Sequence, residues 1–101
     1  MVKVVKFGGS SCADATQFAK VKSIVQADPD RRVVIVSAPG KRCDGDIKVT
    51  DLLYRCYDAA KAGEDFSEVL SQIGTRFSEI AGELKLDFDL AGELERIRAH
   101  L

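Results

Sequence analysis

The chain has 101 residues, of which 46% are apolar and 31% charged, enough for one small domain or a part of one. Its 15 basic and 16 acidic residues leave a formal charge of −1, and the basic ones are scattered, which excludes the basic stripe that nucleic-acid binding requires. No apolar run approaches the roughly 20 residues that cross a bilayer and no signal-peptide pattern opens the chain, so a cytoplasmic location without membrane attachment is the default expectation.

Val2 to Phe7 is short and valine-rich, and it predicts a strand that stops at Gly8-Gly9. From Asp14 the spacing turns helical, with Ala15, Phe18, Val21, Ile24 and Val25 at three- and four-residue steps. Asp14 and Gln17 stand in capping-box spacing, and Asp28-Pro29-Asp30 ends the helix. The run "RVVIVS", Arg32 to Ser37, is nearly all β-branched, as in a parallel strand buried on both faces, and ends at Ala38-Pro39-Gly40.

After a polar loop containing Gly45, Leu52, Leu53, Cys56, Ala59 and Ala60 mark one face of a helix from about Val49 to Ala62, closed by Gly63. Asp65 and Glu68 form a second capping-box pair ahead of a stripe running Phe66, Val69, Leu70, Ile73, Phe77, Ile80, Ala81 and Leu84. Leu90, Leu94, Ile97 and Leu101 predict a fourth helix, on which the lone His100 is an exposed residue. The fold class expected is α/β, with two parallel strands and about four helices opening a larger domain.

The three cysteines, Cys12, Cys43 and Cys56, are odd in number and lack C-x-x-C spacing, which argues against a disulfide framework or a zinc site. Cys56 reads as core filling. Cys12 is a candidate reactive thiol at a helix start, with core filling as the plainer alternative.

At the first strand's end, Gly8 and Gly9 suit conformations closed to bulkier residues and let a ligand approach the main chain. The following helix would aim amides and its positive end at the same place, an arrangement suited to phosphate. Lys6 sits at the strand's carboxyl end, and an ion pair at 4 Å is worth roughly 4 kcal/mol at intermediate dielectric, against about 0.3–1 for the helix end, so Lys6 should dominate. The corner has neither the Walker nor the dinucleotide-binding glycine spacing. A plain tight turn, with Ser10 and Ser11 as helix caps, is the alternative.

The second strand also ends in a small-residue loop, "SAPGK", and in a parallel sheet both loops lie at the same end, where ligands bind. Ser37 would then face the phosphate region. Thr50, in "KVTDLL", is either the second helix's N-cap or a hydroxyl offered to a carboxylate substrate, and Lys41, Arg42 and Lys48 add positive charge.

The segments "VVKFGGSS", "VVIVSAPGK" and "KVTDLL", in this order and spacing, closely resemble the N-terminus of aspartate kinases in the amino acid kinase family. The resemblance runs from residue 2 to about Tyr57 and more loosely beyond. It implies transfer of the ATP γ-phosphoryl group to the side-chain carboxylate of L-aspartate, the first step toward lysine, threonine and methionine. It also implies ATP and Mg2+ as cofactors, with the metal's ligands outside this chain, and a homo-oligomer for the full-length protein. Lys6 would be the catalytic residue, Lys6, Phe7, Gly8, Gly9 and Ser10 the phosphate cradle, and Ser37 and Thr50 the substrate contacts.

The later segments of such kinases have no counterpart before Leu101, so residues 1–101 are expected to be the N-terminal part of the kinase domain, without a regulatory ACT domain and inactive alone. Other members of the amino acid kinase family are an alternative. So is a non-catalytic interaction module using an open sheet edge and the stripe from Phe66 to Leu84.

Overall fold

The structure is a computed structural model describing residues 1–101, and it divides into two compact units, Met1–Lys48 and Val49–Leu101.

In the first unit, strand β1 (Lys3–Lys6) leads through a single 3-10 turn (Gly9–Cys12) into helix α1 (Ala15–Gln26), and the chain returns as strand β2 (Arg31–Ile35). The strands are parallel, with Val4 opposite Val33, Val5 opposite Val34 and Lys6 opposite Ile35. This is the expected strand–helix–strand unit. The Asp14 carboxylate accepts a hydrogen bond from the Gln17 amide at 2.9 Å, which satisfies one of the exposed donors at the start of α1. Asp28 does the same for Asp30 at 2.9 Å, and its main-chain carbonyl takes the Arg31 amide at 3.1 Å, so the chain turns straight into β2.

The core of this unit is Phe7, Cys12 and Val21, with Val5, Phe18 and Val25 packed against it. Cys12 is fully buried, which removes it as a candidate reactive thiol and makes it a small apolar filler. The β-branched run of β2 departs from expectation. Val33, Val34, Ile35 and Val36 stay 40–56% exposed, because β2 has one neighbouring strand and α1 is the one element besides β1 that packs on it.

The second unit holds α2 (Val49–Lys61), α3 (Ser67–Glu83) and α4 (Leu90–His100). Gly63 closes α2 at φ 73°, with Glu64 N–H donating to the Ala59 carbonyl at 2.8 Å and Gly63 N–H to Ala60 at 3.1 Å, the two bonds of a Schellman cap. Lys85 closes α3 with the same pair of bonds at φ 56°, a conformation that favours glycine.

The capping box expected at α3 does not form. Asp65 instead accepts from the nearby Ser67 amide at 2.9 Å, and Phe66 occupies the cap position with no capping side chain. The apolar stripe packs at home: Leu70, Ile73 and Ile80 are buried, as are Val49, Leu52 and Cys56 of α2, whose thiol burial pushes up in pKa. Arg76 is buried in the same helix, a position that the apolar spacing passes over. Helix α4 meets α3 closely at Gly74, where a Cβ would lie 2.9 Å from Leu94 Cδ1.

Candidate functional site

Lys6 is the last residue of β1 and is exposed, its side chain making no ion pair or hydrogen bond inside the chain. The neighbouring Phe7 is buried and anchored, its amide donating to the Ile35 carbonyl at 2.8 Å. The ladder therefore continues one residue past β1 and fixes where the Gly8-Gly9 corner begins. Beyond it the amides of Gly8, Gly9 and Ser10 have no partner in the chain, and the next donor, Ser11 N–H, closes the 3-10 turn onto the Gly8 carbonyl at 3.1 Å. A lone ammonium and a run of unengaged N–H groups at one strand end form a surface able to take an anion.

The glycines are needed for a reason other than the dihedral freedom expected of them. Gly8 is extended, φ −75° and ψ 179°, as any residue can be, and neither glycine has positive φ. A Cβ on Gly8 would meet nothing within 4 Å, so this position is open to whatever approaches from outside. Gly9 instead is held close to the second loop: its Cβ would lie 3.3 Å from both the Ala38 carbonyl oxygen and the Gly40 Cα.

Two further expectations change. The start of α1 does not follow the corner directly, because the 3-10 turn intervenes, and the Asp14 carboxylate already engages one of its amides. Ser10 and Ser11 lie inside that turn and cap no helix.

The second loop follows β2. Ser37 is exposed and lies beyond the carboxyl end of β2, hence at the same end of the parallel pair as Lys6. Pro39 and Gly40 are buried, and the Gly40 amide donates to the Gly9 carbonyl at 2.8 Å, tying the two loops together through main chain alone. Gly40 is the residue that spacing missed. Its signal was a third glycine at a strand end, without a sequence cue to its partner.

Arg42 is committed to structure rather than to a ligand. It donates to Asp46 from its amide at 2.9 Å, from Nε at 2.8 Å and from its terminal nitrogen at 3.0 Å, around a turn in which Gly45 adopts φ 82°. Those bonds, the side-chain pair first, hold the Asp46 carboxyl well below the usual carboxylate range. Because the folded value is depressed, the stabilisation is present above the unfolded value of about 3.9 and is lost as pH falls through the folded one. Asp46→Asn should cost about 1 kcal/mol at pH 7, and the gap from the native chain should narrow steadily below about pH 4. Urea midpoints at pH 7 and at lower pH check this, and a gap independent of pH would refute it.

Thr50 lies in the second unit, exposed, inside the first turn of α2 rather than at its cap, since the helix starts at Val49. It lines an open depression of about 460 Å³ with Leu53, Tyr54 and Tyr57. No cluster of three or more His, Cys, Asp or Glu side chains stands together that could hold a metal ion. No helix is long and apolar enough to cross a membrane.

No family-level sequence profile matches the chain. It is 45% identical over 100 residues to Aspartokinase 3 of Bacillus subtilis (strain 168), a match covering 99% of this chain and 21% of that protein. The crystal structure of the Clostridium acetobutylicum aspartate kinase superposes with a TM-score of 0.89 at 50% identity, over 92% of this chain and 22% of the other. The chain thus shares the α/β fold of the matching part of that enzyme. The particular likeness is to aspartate kinases, it extends over nearly the whole chain, and the chain spans about a fifth of the length of these relatives.

Proposed function

We propose that residues 1–101 are the N-terminal part of an aspartate kinase domain, and that the corner from Lys6 to Ser10 binds the terminal phosphates of MgATP during phosphoryl transfer to the side-chain carboxylate of L-aspartate. The observation that carries this reading is the juxtaposition of an exposed, unpaired Lys6 with the free amides of Gly8, Gly9 and Ser10, in a chain 45% identical to an aspartokinase.

Such a set fits a polyphosphate. Phosphoryl transfer asks for positioning and for neutralisation of charge on the equatorial oxygens, which one ammonium and several fixed donors supply without a covalent nucleophile. ATP supplies the transferable group, and Mg2+ would be held by the phosphates and by residues outside this chain. Lys6 would draw charge toward itself, the buried Phe7 would hold the corner in place, and the Gly8 and Gly9 amides would cradle the oxygens. Ser37, at the same end of the sheet, would line the phosphate region, and Thr50 would contact aspartate. The biosynthesis of lysine, a cytoplasmic location and a homo-oligomer for the whole enzyme belong to the same reading, as does inactivity of the isolated chain.

The alternative of a non-catalytic interaction module loses one of its two supports, because the stripe from Phe66 to Leu84 is packed within the second unit, and keeps the other, the uncovered edge of the two-stranded sheet.

Gly8→Ala tests the reading without touching a charge. The methyl group meets nothing in the chain and the backbone angle accepts it, so stability should stay within about 0.5 kcal/mol of native. The same methyl would stand where the phosphates approach. Grafted in place of the matching segment of the Bacillus subtilis Aspartokinase 3, the variant should show a KM for MgATP raised about tenfold or more, the cost of roughly 1.4 kcal/mol of lost contact. An unchanged KM would count against a ligand at this corner.

A further inference from the structure

We propose that Gly40 is a positioning residue for the phosphate corner, acting through Gly9: its amide holds the Gly9 carbonyl back against the second loop, so that the corner offers only donors to an anion. The proposal rests on the reading above and adds a residue from a different loop.

The argument begins with the peptide unit. A trans peptide is planar, and its carbonyl and the following N–H point in opposite directions. The Gly40 amide donates to the Gly9 carbonyl at 2.8 Å, so the Gly9–Ser10 peptide is fixed with its oxygen toward the second loop and the Ser10 N–H on the other side. Rotation of that peptide would exchange a donor for an acceptor beside Lys6. An acceptor oxygen there repels phosphate, and glycine at position 9 would put little steric resistance in the way of such a rotation.

The lock is unusually tight because it has no side chains in it. A Cβ on Gly40 would lie 2.6 Å from the Gly9 carbonyl carbon, 2.9 Å from its oxygen and 2.9 Å from the Ser10 nitrogen. All three are main-chain atoms that cannot swing aside. Pro39, itself buried, stiffens the loop that presents Gly40 by fixing its own φ and restricting Ala38. The second loop therefore serves the corner as a rigid backstop, and the requirement for glycine at 40 comes from space rather than from dihedral angle.

The test uses two variants of this chain, set in place of the matching segment of the Bacillus subtilis Aspartokinase 3 and isotope-labelled over that segment alone, with amide NMR during MgATP titration. Gly40→Ala inserts the methyl group. Replacing residue 40 by glycolic acid, in a chain assembled by ligation at Cys43, turns the N–H into an ester oxygen and removes the hydrogen bond without adding volume, which keeps the test available if Gly40→Ala does not fold. In the native chain the Gly8, Gly9 and Ser10 amides should shift with MgATP, and Lys6→Ala should abolish this. Both position-40 variants should weaken Kd at least tenfold. Val21→Ala, which destabilises the same unit from its core, should leave Kd within twofold of native, as a purely structural loss would. Native-like Kd in a folded position-40 variant, alongside lost binding in Lys6→Ala, would overturn the role of Gly40 and leave the phosphate reading intact. Silence of the native corner amides toward MgATP would overturn both.

Discussion

Lys6→Ala should lower the rate of aspartyl phosphate formation by about 10³-fold while leaving the fold untouched. The side chain is exposed and makes no ion pair or hydrogen bond in the chain, so its removal breaks nothing that stabilises β1. A surface substitution of this sort changes stability by less than about 0.5 kcal/mol. The role proposed for it, by contrast, depends on charge that appears only when the phosphoryl group is in flight. An ammonium about 4 Å from such charge at intermediate dielectric contributes roughly 4 kcal/mol, equivalent to about three powers of ten in rate.

The measurement is ATP-dependent aspartyl phosphate, trapped as the hydroxamate, from Aspartokinase 3 of Bacillus subtilis carrying this chain in place of its matching segment. Lys6→Arg keeps the charge but changes its shape, and should recover only part of the loss, because a planar guanidinium does not replace a compact ammonium. Retention of more than a third of native activity by Lys6→Ala would remove Lys6 from the chemistry.

The second large effect is on stability. Ile73→Ala should destabilise the second unit by about 2–5 kcal/mol, a substantial part of the total available to a small domain. Ile73 is 1% exposed, at the centre of the α3 stripe. Truncation forfeits the transfer energy of the deleted carbons, and the cavity left behind adds to the loss. Urea unfolding followed by the helical signal should show a lower midpoint at an unchanged slope. A shift below about 1 kcal/mol would mean that this stripe is not the core of the unit.

These two experiments probe the two units separately, and the contrast between them reflects how each was legible. The helices of the second unit were readable because helical period, glycine at α2's end and buried stripe all agree at Leu52, Cys56, Leu70, Ile73 and Ile80. Their ends were less so. Asp65 and Glu68 have the spacing of a capping box, yet Asp65 bonds the closer Ser67 amide, since short polar side chains can satisfy several nearby donors and sequence does not rank them. Lys85 closes α3 where glycine would be expected, because the paired cap bonds can hold a residue in a conformation that it does not prefer.

In the first unit the strand–helix–strand order, the Asp14 cap and the carboxyl-end location of Lys6 and Ser37 were all open to reading from residue types and spacing. The roles of the glycines were not. Gly8 and Gly9 suggested unusual backbone angles, and the structure shows ordinary ones, with Gly9 set against Gly40 and Gly8 facing open space. Arg42 looked like a free cation and turned out to be bonded to Asp46.

The sequence by itself determined which local elements form, in what order, and that a lysine stands beside a glycine corner, because each of these follows from neighbours within a few positions along the chain. Only the tertiary structure decided which main-chain groups are spoken for. Whether the Gly9 carbonyl is tied to Gly40, whether the corner amides are left unengaged and whether Cys12 is sealed in the core depend on segments distant in sequence meeting at van der Waals distance. Residue type and spacing carry no record of such meetings, since a backbone contact between two glycines involves no side chain that could announce it.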